Sequence, residues 1–134
     1  MTDPARTPSR RPSSAPAPLV VAASLGALEG VLLVLLGLVE LVALSGERLA
    51  MGLTTAGFFV VYGVGLGFCA WRVTRLEPWA RSPLVLAQLI QLGVAWSFRG
   101  GSSTPAAVAL ALVAGIVLAG VFHPSSVEAL RERD

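Results

Sequence analysis

The stretch LVVAASLGALEGVLLVLLGLVELVAL, residues 19–44, decides the fold, because its residues are apolar or glycine except for one serine and two glutamates. A mainly apolar run of about 18 residues or more is long enough to cross the hydrocarbon core of a bilayer as an α-helix. Of the 134 residues in the chain, 54% are hydrophobic and 13% are charged, whereas a soluble domain usually carries about 25% charged residues. Composition therefore predicts lipid, rather than water, as the main solvent around the chain.

Three further apolar segments follow the first, and together they predict an all-α membrane protein, an antiparallel bundle of four transmembrane helices. The four predicted spans are residues 19–44, 51–71, 84–98 and 105–122. Residues 1–18 are rich in Pro, Ser, Ala and Arg, and such a segment buries too little apolar surface to order itself, so we expect a disordered tail there. Residues 123–134 form a second predicted tail, with a short exposed helix that begins at a capping box of Ser125 and Glu128.

The arginines predict the orientation of the spans, since cytoplasmic loops carry an excess of basic residues. All 10 basic residues of the chain are arginines, and only Arg48 and Arg99 lie in the first and third loops. The others lie in the two tails and the second loop, so we expect both termini to be cytoplasmic in a multi-pass protein of a bacterial plasma (inner) membrane. Because the arginines flank the spans, with no basic helix and no interleaved aromatic stripe, nucleic acid is not an expected partner.

Glu29 and Glu40 occupy the part of the chain where ionisable side chains are rarest, and such residues usually face the inside of a bundle. They are 11 residues apart, a spacing that puts them on one helix face about 16 Å apart. On the third span, Gln88, Gln91 and Arg99 share a face in the same way. We predict that Glu29 meets Gln88 or Gln91 at mid-depth. At the outer rim, we expect an ion pair between Glu40 and Arg99.

Tyr62 on the second span is a candidate hydrogen-bond donor to Glu29 or to a ligand, and it completes the predicted intramembrane polar cluster. Three roles stay open for this cluster: a clasp that fixes helix register, a site that handles a proton or a ligand, and a contact with lipid or a partner. Small residues on the predicted inner faces indicate close helix packing. The glycines expected at these contacts are Gly26, Gly37, Gly63 and Gly67.

Signatures of catalysis and of cofactor binding are missing from the sequence. The single Cys69 excludes a multi-cysteine metal site, and His123 is the only histidine, with no second ligand nearby. A membrane enzyme would need several convergent ionisable groups, and the sequence places one acid at mid-depth. We therefore expect no metal, no cofactor and no enzymatic activity.

The short loops and small-residue faces favour a non-enzymatic membrane protein with a structural, assembly or regulatory role in a larger complex. Its expected partners are the lipid bilayer and either another membrane protein or a second copy of the chain. The alternative is a proton-coupled transporter of small molecules that uses Glu29. A transporter needs a titrating acid, whereas a clasp needs only a group that forms hydrogen bonds, so Glu29→Gln separates the two.

Two stretches, LAQLIQLGVAWSFRGG (residues 86–101) and VFHPSSVEAL (residues 121–130), resemble a group of small actinobacterial four-span integral membrane proteins of unassigned function. The residues that carry this resemblance, which extends over residues 19–130, are Gln88, Gln91, Trp96, Arg99, His123 and Pro124. It implies a location and an architecture but no activity. The four spans with an acid in the first are also similar to the small multidrug resistance family, a similarity that implies proton-coupled export of cations through Glu29. The chain departs from that family in its long N-terminal tail, in glutamines where an aromatic cage is expected, and in a third span without the family's tryptophan and glycine-rich pattern.

Overall fold

The computed structural model describes residues 14–44 and 46–133, and all secondary structure in these residues is helical, which confirms the all-α prediction for them. The predicted disordered tail falls largely on residues 1–13, outside the described part. The α-helices are α1 Ala17–Val42, α2 Leu49–Thr74, α3 Arg81–Ser97, α4 Thr104–Phe122 and α5 Pro124–Arg131. Short 3₁₀ turns precede α2, α3 and α4, at Gly46–Arg48, Pro78–Ala80 and Gly101–Ser103.

Prolines mark the beginnings of three of these helices. Pro18, Pro105 and Pro124 each lie in the first turn, where a backbone N–H would have no carbonyl of the same helix to pair with. At α5 the free backbone N–H of Ser125 is capped by His123, whose Nδ1 accepts a hydrogen bond from it at 3.3 Å. The capping box predicted to begin at Ser125 is wrong, because α5 already begins at Pro124 and His123 is its N-cap residue.

The large aliphatic side chains of the long helices face outward, which is the reverse of the pattern in a water-soluble protein. On α1, Leu28 and Leu32 are both more than half exposed, whereas Gly26 and Gly30 are buried. In the part of the chain that the structure describes, α1, α2 and the segment Gly101–Phe122 are long and apolar enough to cross a membrane. These helices bury glycine and alanine against one another and present leucine and valine to the surroundings.

The helices are joined most tightly at one end. α1 packs along α2 and also contacts α4, whereas α3 packs mainly against α4. The start of α1, the α2–α3 connection, the end of α4 and α5 meet at what we call the closed end. Its core consists of Leu19, Val73, Leu76, Ala80, Leu84, Val121 and Leu130. At the opposite end, which we call the open end, residues 38–43, 48–51 and 96–106 are all exposed.

α5 is fixed to the closed end by a hydrogen bond that replaces one lost to proline. The Gly120 carbonyl would normally accept the N–H of the residue four positions later, but that residue is Pro124, which has none. The fully buried Ser126 instead donates its hydroxyl to the Gly120 oxygen at 2.7 Å. With Ala129 and Leu130 also buried, the short helix expected in the C-terminal tail is packed against the other helices.

Glycines bring α1 and α2 into backbone contact. A Cβ atom on Gly30 would lie 2.6 Å from the Gly63 oxygen, and one on Gly63 would lie 2.6 Å from the Gly30 oxygen. A Cβ on Gly37 would lie 2.9 Å from a carbonyl oxygen of α2, and one on Gly26 would lie 3.0 Å from a leucine side chain of α3. Gly67 contributes its backbone nitrogen to the contact with Gly30, but a Cβ of its own would meet nothing within 4 Å.

Candidate functional site

The structure brings Glu29 together with both glutamines of α3. The Gln88 Nε2 donates to Glu29 Oε2 at 2.7 Å, and the Gln91 Nε2 donates to Glu29 Oε1 at 2.7 Å. The two glutamines are three residues apart on α3, so they lie on one helix face and reach the carboxyl group side by side. Each oxygen of Glu29 therefore has its own amide donor, where the sequence predicted one glutamine or the other.

Gln91 extends this arrangement to a third helix. Its Nε2 also donates to the backbone oxygen of Leu110 on α4, at 3.1 Å. α1 packs against α2 and α4 rather than along α3. The hydrogen bonds between α1 and α3 therefore cross the interior of the bundle through long side chains. We call Glu29, Gln88 and Gln91 the clasp, because together they tie α1, α3 and α4 at one level.

Burial within the clasp is uneven. Gln88 is fully buried, while Glu29 and Gln91 are half-buried. The Gln88 Oε1 is itself buried and has no hydrogen-bond partner among the described residues. A buried carbonyl oxygen without a donor costs about 1 to 3 kcal/mol, so the clasp contains one acceptor that a proton donor would stabilise.

Tyr62, which was predicted to complete the polar cluster, does not join the clasp. Among the described residues, no hydrogen bond connects Tyr62 to Glu29. Its ring stacks on Phe58, with centroids 5.6 Å apart and an interplanar angle of 14°, and it lines an apolar cavity of about 310 Å³ between α2 and α3 together with Cys69 and Pro83. Tyr62 therefore packs against Phe58 and the α3 side chains of this cavity, and the clasp is formed by the two glutamines without it.

The predicted ion pair between Glu40 and Arg99 does not form. Both side chains are exposed at the open end, and within the described residues no salt bridge joins them. The Arg99 guanidinium lies 3.7 Å from the centroid of the Trp96 ring and donates to the Trp96 oxygen at 3.0 Å. The prediction extended helical geometry to Arg99, but α3 ends at Ser97, so Arg99 no longer follows the face that carries the glutamines.

A polar cluster at the closed end was missed by the sequence interpretation. Glu77 accepts hydrogen bonds from the Arg72 guanidinium and, at 2.7 Å, from the Trp79 indole nitrogen. Leu76 makes this turn possible, since its φ of 59° ends α2 in the left-handed conformation usually taken by glycine. The Glu77 N–H then bonds back to the Arg72 oxygen at 3.3 Å, and the Leu76 side chain turns inward and is 3% exposed.

The chemistry available to the clasp is hydrogen bonding and the binding of a proton or another hydrogen-bond donor. Within residues 14–44 and 46–133 there is no group of three or more His, Cys, Asp and Glu side chains arranged to hold a metal ion. No family model, curated protein or solved structure matches the chain.

Proposed function

We propose that this chain is a four-span integral protein of a bacterial plasma membrane, with both termini cytoplasmic and a non-enzymatic structural, assembly or regulatory role beside a larger membrane complex. The outward-facing leucines and the three helices that are long enough to span support the membrane location. The resemblance to small actinobacterial membrane proteins is in keeping with it. The partner is another membrane protein or a second copy of the chain.

The proposed fourth span is α3. Its 17 residues extend over about 25 Å, slightly less than the hydrocarbon thickness of about 30 Å. α3 packs against α4, and its outward residues Leu86, Leu89 and Ile90 are each at least half exposed. An apolar outer face beside a candidate span favours a helix that crosses the same lipid layer.

Cysteine labelling tests the number of spans. In a Cys69→Ala background, Ser14→Cys and Arg133→Cys are treated in intact cells with a membrane-impermeant maleimide. Four spans place both positions on the cytoplasmic side, so neither reacts until the cells are opened. Three spans place them on opposite sides, and labelling of only one of them in intact cells would contradict the proposal.

The observation that carries the structural role is that both oxygens of Glu29 are occupied by amide donors from α3. A carboxyl group whose two oxygens are both bonded to α3, with Gln91 also bonded to α4, is suited to fixing helix register. Interhelical hydrogen bonds in membranes contribute only about 0.6 kcal/mol each on average. The clasp therefore specifies which faces meet, while the glycine contacts supply most of the packing.

Substitution of Glu29 tests the clasp. Glu29→Gln keeps a hydrogen-bonding group of the same length, so we expect stability close to that of the wild type. Glu29→Leu leaves the buried Gln88 amide nitrogen without its acceptor, at about 1 to 3 kcal/mol, whereas Gln91 keeps the Leu110 oxygen. Glu40→Gln is the matched control, since Glu40 is exposed at the open end. Equal stability of the leucine and glutamine variants in detergent unfolding would argue against a clasp.

A second function, proton-coupled transport of a small molecule, is favoured by the Gln88 oxygen, which no donor in the described part of the chain reaches. If Glu29 binds a proton, a half-turn of the Gln88 amide brings its oxygen toward the new O–H group, so protonation and amide rotation are coupled. The test measures proton release when a lipophilic cation is added to purified protein. Release that is abolished by Glu29→Gln supports transport, and no release from the wild type supports the structural role.

A further inference from the structure

A groove between α3 and α4 at the closed end is lined by polar side chains at one end and by apolar side chains along the rest of its length. Its volume is about 330 Å³, and it is lined by Arg81, Ser82, Val85, Leu86, Leu89 and Phe122. The α3 residues follow one another at helical spacing, so the groove runs along the helix for about 12 Å from its first turn. The guanidinium and the hydroxyl lie at the closed end, and the side chains beyond them are apolar.

Arg81 contacts an aromatic ring, and no carboxylate of the described residues forms a salt bridge with it. Its Cζ lies 4.7 Å from the centroid of the Phe122 ring, which fixes the guanidinium by a cation–π contact. Among the described residues, the carboxylate of the closed-end turn pairs with Arg72, and none lies within salt-bridge distance of Arg81. Within residues 14–44 and 46–133, the groove therefore presents a positioned positive charge that is not paired with a carboxylate, next to an apolar channel.

The depth of Arg81 matches that of lipid headgroups under the proposed orientation. The exposed rings of Trp71 and Trp79 lie at the same closed end, and tryptophans gather at the level of the headgroups. The arginines of this end would face the cytoplasmic leaflet, whose anionic lipids attract basic residues. A ligand with an anionic head and a hydrocarbon chain is present at this depth in every bacterial membrane.

We infer that this groove is a phospholipid site. The lipid phosphate accepts hydrogen bonds from the Arg81 guanidinium and the Ser82 hydroxyl, and one acyl chain lies along Leu86, Leu89 and Phe122. A guanidinium is well suited to a phosphate because its planar N–H groups bind two oxygens at once. The site prefers an anionic lipid, such as phosphatidylglycerol, over a zwitterionic one. The inference rests on the proposed membrane location.

Native mass spectrometry of the full chain in detergent tests the site, with phosphatidylglycerol and phosphatidylcholine as probes. Arg81→Gln should weaken retention of phosphatidylglycerol about tenfold, because it removes the charge-assisted hydrogen bonds between the guanidinium and the phosphate. Arg75→Gln is the matched control. It removes the same charge at the same end, but Arg75 is exposed, lies over Trp71 and does not line the groove. Its effect should be less than twofold, or about 0.4 kcal/mol.

A second variant tests the apolar half of the groove without changing charge. Leu89 is more than half exposed, so Leu89→Trp is tolerated by the fold and its ring fills the space assigned to the acyl chain. We expect this variant to lose phosphatidylglycerol to a similar extent as Arg81→Gln. Soluble glycerol phosphate at the same concentration should not displace the lipid, because it has no chain to bury.

Three results would overturn the lipid site. These are equal losses in the Arg81 and Arg75 variants, full retention by Leu89→Trp, and displacement by glycerol phosphate, which would indicate a site for free phosphate. Membrane location is measured separately, as the fraction of chain that stays in membranes after alkaline extraction. A wild-type chain that is extracted would overturn the proposed function as well, whereas loss of lipid selectivity from an extraction-resistant chain concerns the groove alone.

Discussion

Replacing Gly30 by alanine places one methyl group at the point where the backbones of α1 and α2 are closest. The new Cβ would lie 2.6 Å from the Gly63 oxygen and 3.0 Å from the Gly67 nitrogen. Both neighbours are backbone atoms of a helix, so neither moves aside by a side-chain rotation. Ordinary van der Waals contact begins at 3.4 Å, and α1 and α2 must therefore separate by roughly 0.8 Å at the crossing.

The expected cost follows from that separation. A gap of about 0.5 to 1 Å forfeits a quarter to a half of the dispersion energy of the affected contacts, and overpacking a tight interface costs about 1 to 3 kcal/mol. Alanine also gains helix propensity of about 1 kcal/mol over glycine. Gly67→Ala makes the same propensity gain with nothing within 4 Å of its Cβ, so the two variants should differ by about 1 to 3 kcal/mol.

Cys69 provides the assay, because it is the single cysteine of the chain and is half-buried in α2. Its rate of maleimide labelling is followed as sodium dodecyl sulfate is added to protein in a mild detergent. We expect Gly30→Ala to expose Cys69 at a lower mole fraction of the denaturing detergent than the wild type, and Gly67→Ala to match or exceed the wild type. If Gly30→Ala is as stable as Gly67→Ala, the backbone contact at Gly30 does not limit the packing.

Three further predictions concern single contacts and use the same assay. Ser126→Ala should destabilise the protein by about 1 to 3 kcal/mol, because the Gly120 oxygen loses its donor. Its control, Ser125→Ala, removes a half-buried hydroxyl and should change stability by less than about 0.5 kcal/mol. Leu76→Gly should be more stable than Leu76→Ala by about 1 kcal/mol, because glycine adopts the left-handed conformation freely. Both variants should be less stable than the wild type. If Leu76→Ala is more stable than Leu76→Gly, the turn is not strained at Leu76. The free energies of unfolding of Glu40→Gln and Arg99→Gln should each stay within about 0.5 kcal/mol of the wild type. A similar loss of stability in both variants would instead indicate that Glu40 and Arg99 form an ion pair.

Sequence patterns predicted the parts of this protein that depend on residues within one helix. The lengths of the apolar runs identified the segments of α1, α2 and α4, because a helix that can cross a bilayer must be mainly apolar along its whole span. Helical spacing placed Gln88 and Gln91 side by side opposite Glu29, since all three lie well inside regular helices. The same arithmetic failed for Arg99 because it was carried two residues past the end of α3, where the dihedral angles are no longer helical.

Contacts that depend on where two helices cross could not be predicted from residue spacing within one helix. Gly63 and Gly67 were expected at helix contacts, yet the glycine that meets Gly63 most closely is Gly30 on α1, which was not among the expected glycines. Which of several glycines forms the contact depends on the crossing point of two helices, and one sequence does not contain that distance. The Arg81–Phe122 contact, between residues 41 positions apart, was missed for the same reason.

The packing of the two ends limits how Glu29 can act. At the closed end, α5 and the turn between α2 and α3 contribute to a buried apolar core, which in the described residues lies between that end and the clasp. The open end is exposed over residues 38–43, 48–51 and 96–106, and the cavity beside Tyr62 separates α2 from α3 at the level where Gly30 meets Gly63. A donor for the free Gln88 oxygen must therefore arrive from the open end or sideways from lipid.

A structural clasp needs neither route. A transporter must also open the closed end, which requires breaking the Ser126–Gly120 hydrogen bond and withdrawing Leu130 from the core. The stability of α5 on the closed end is thus the property in which the two functions differ most.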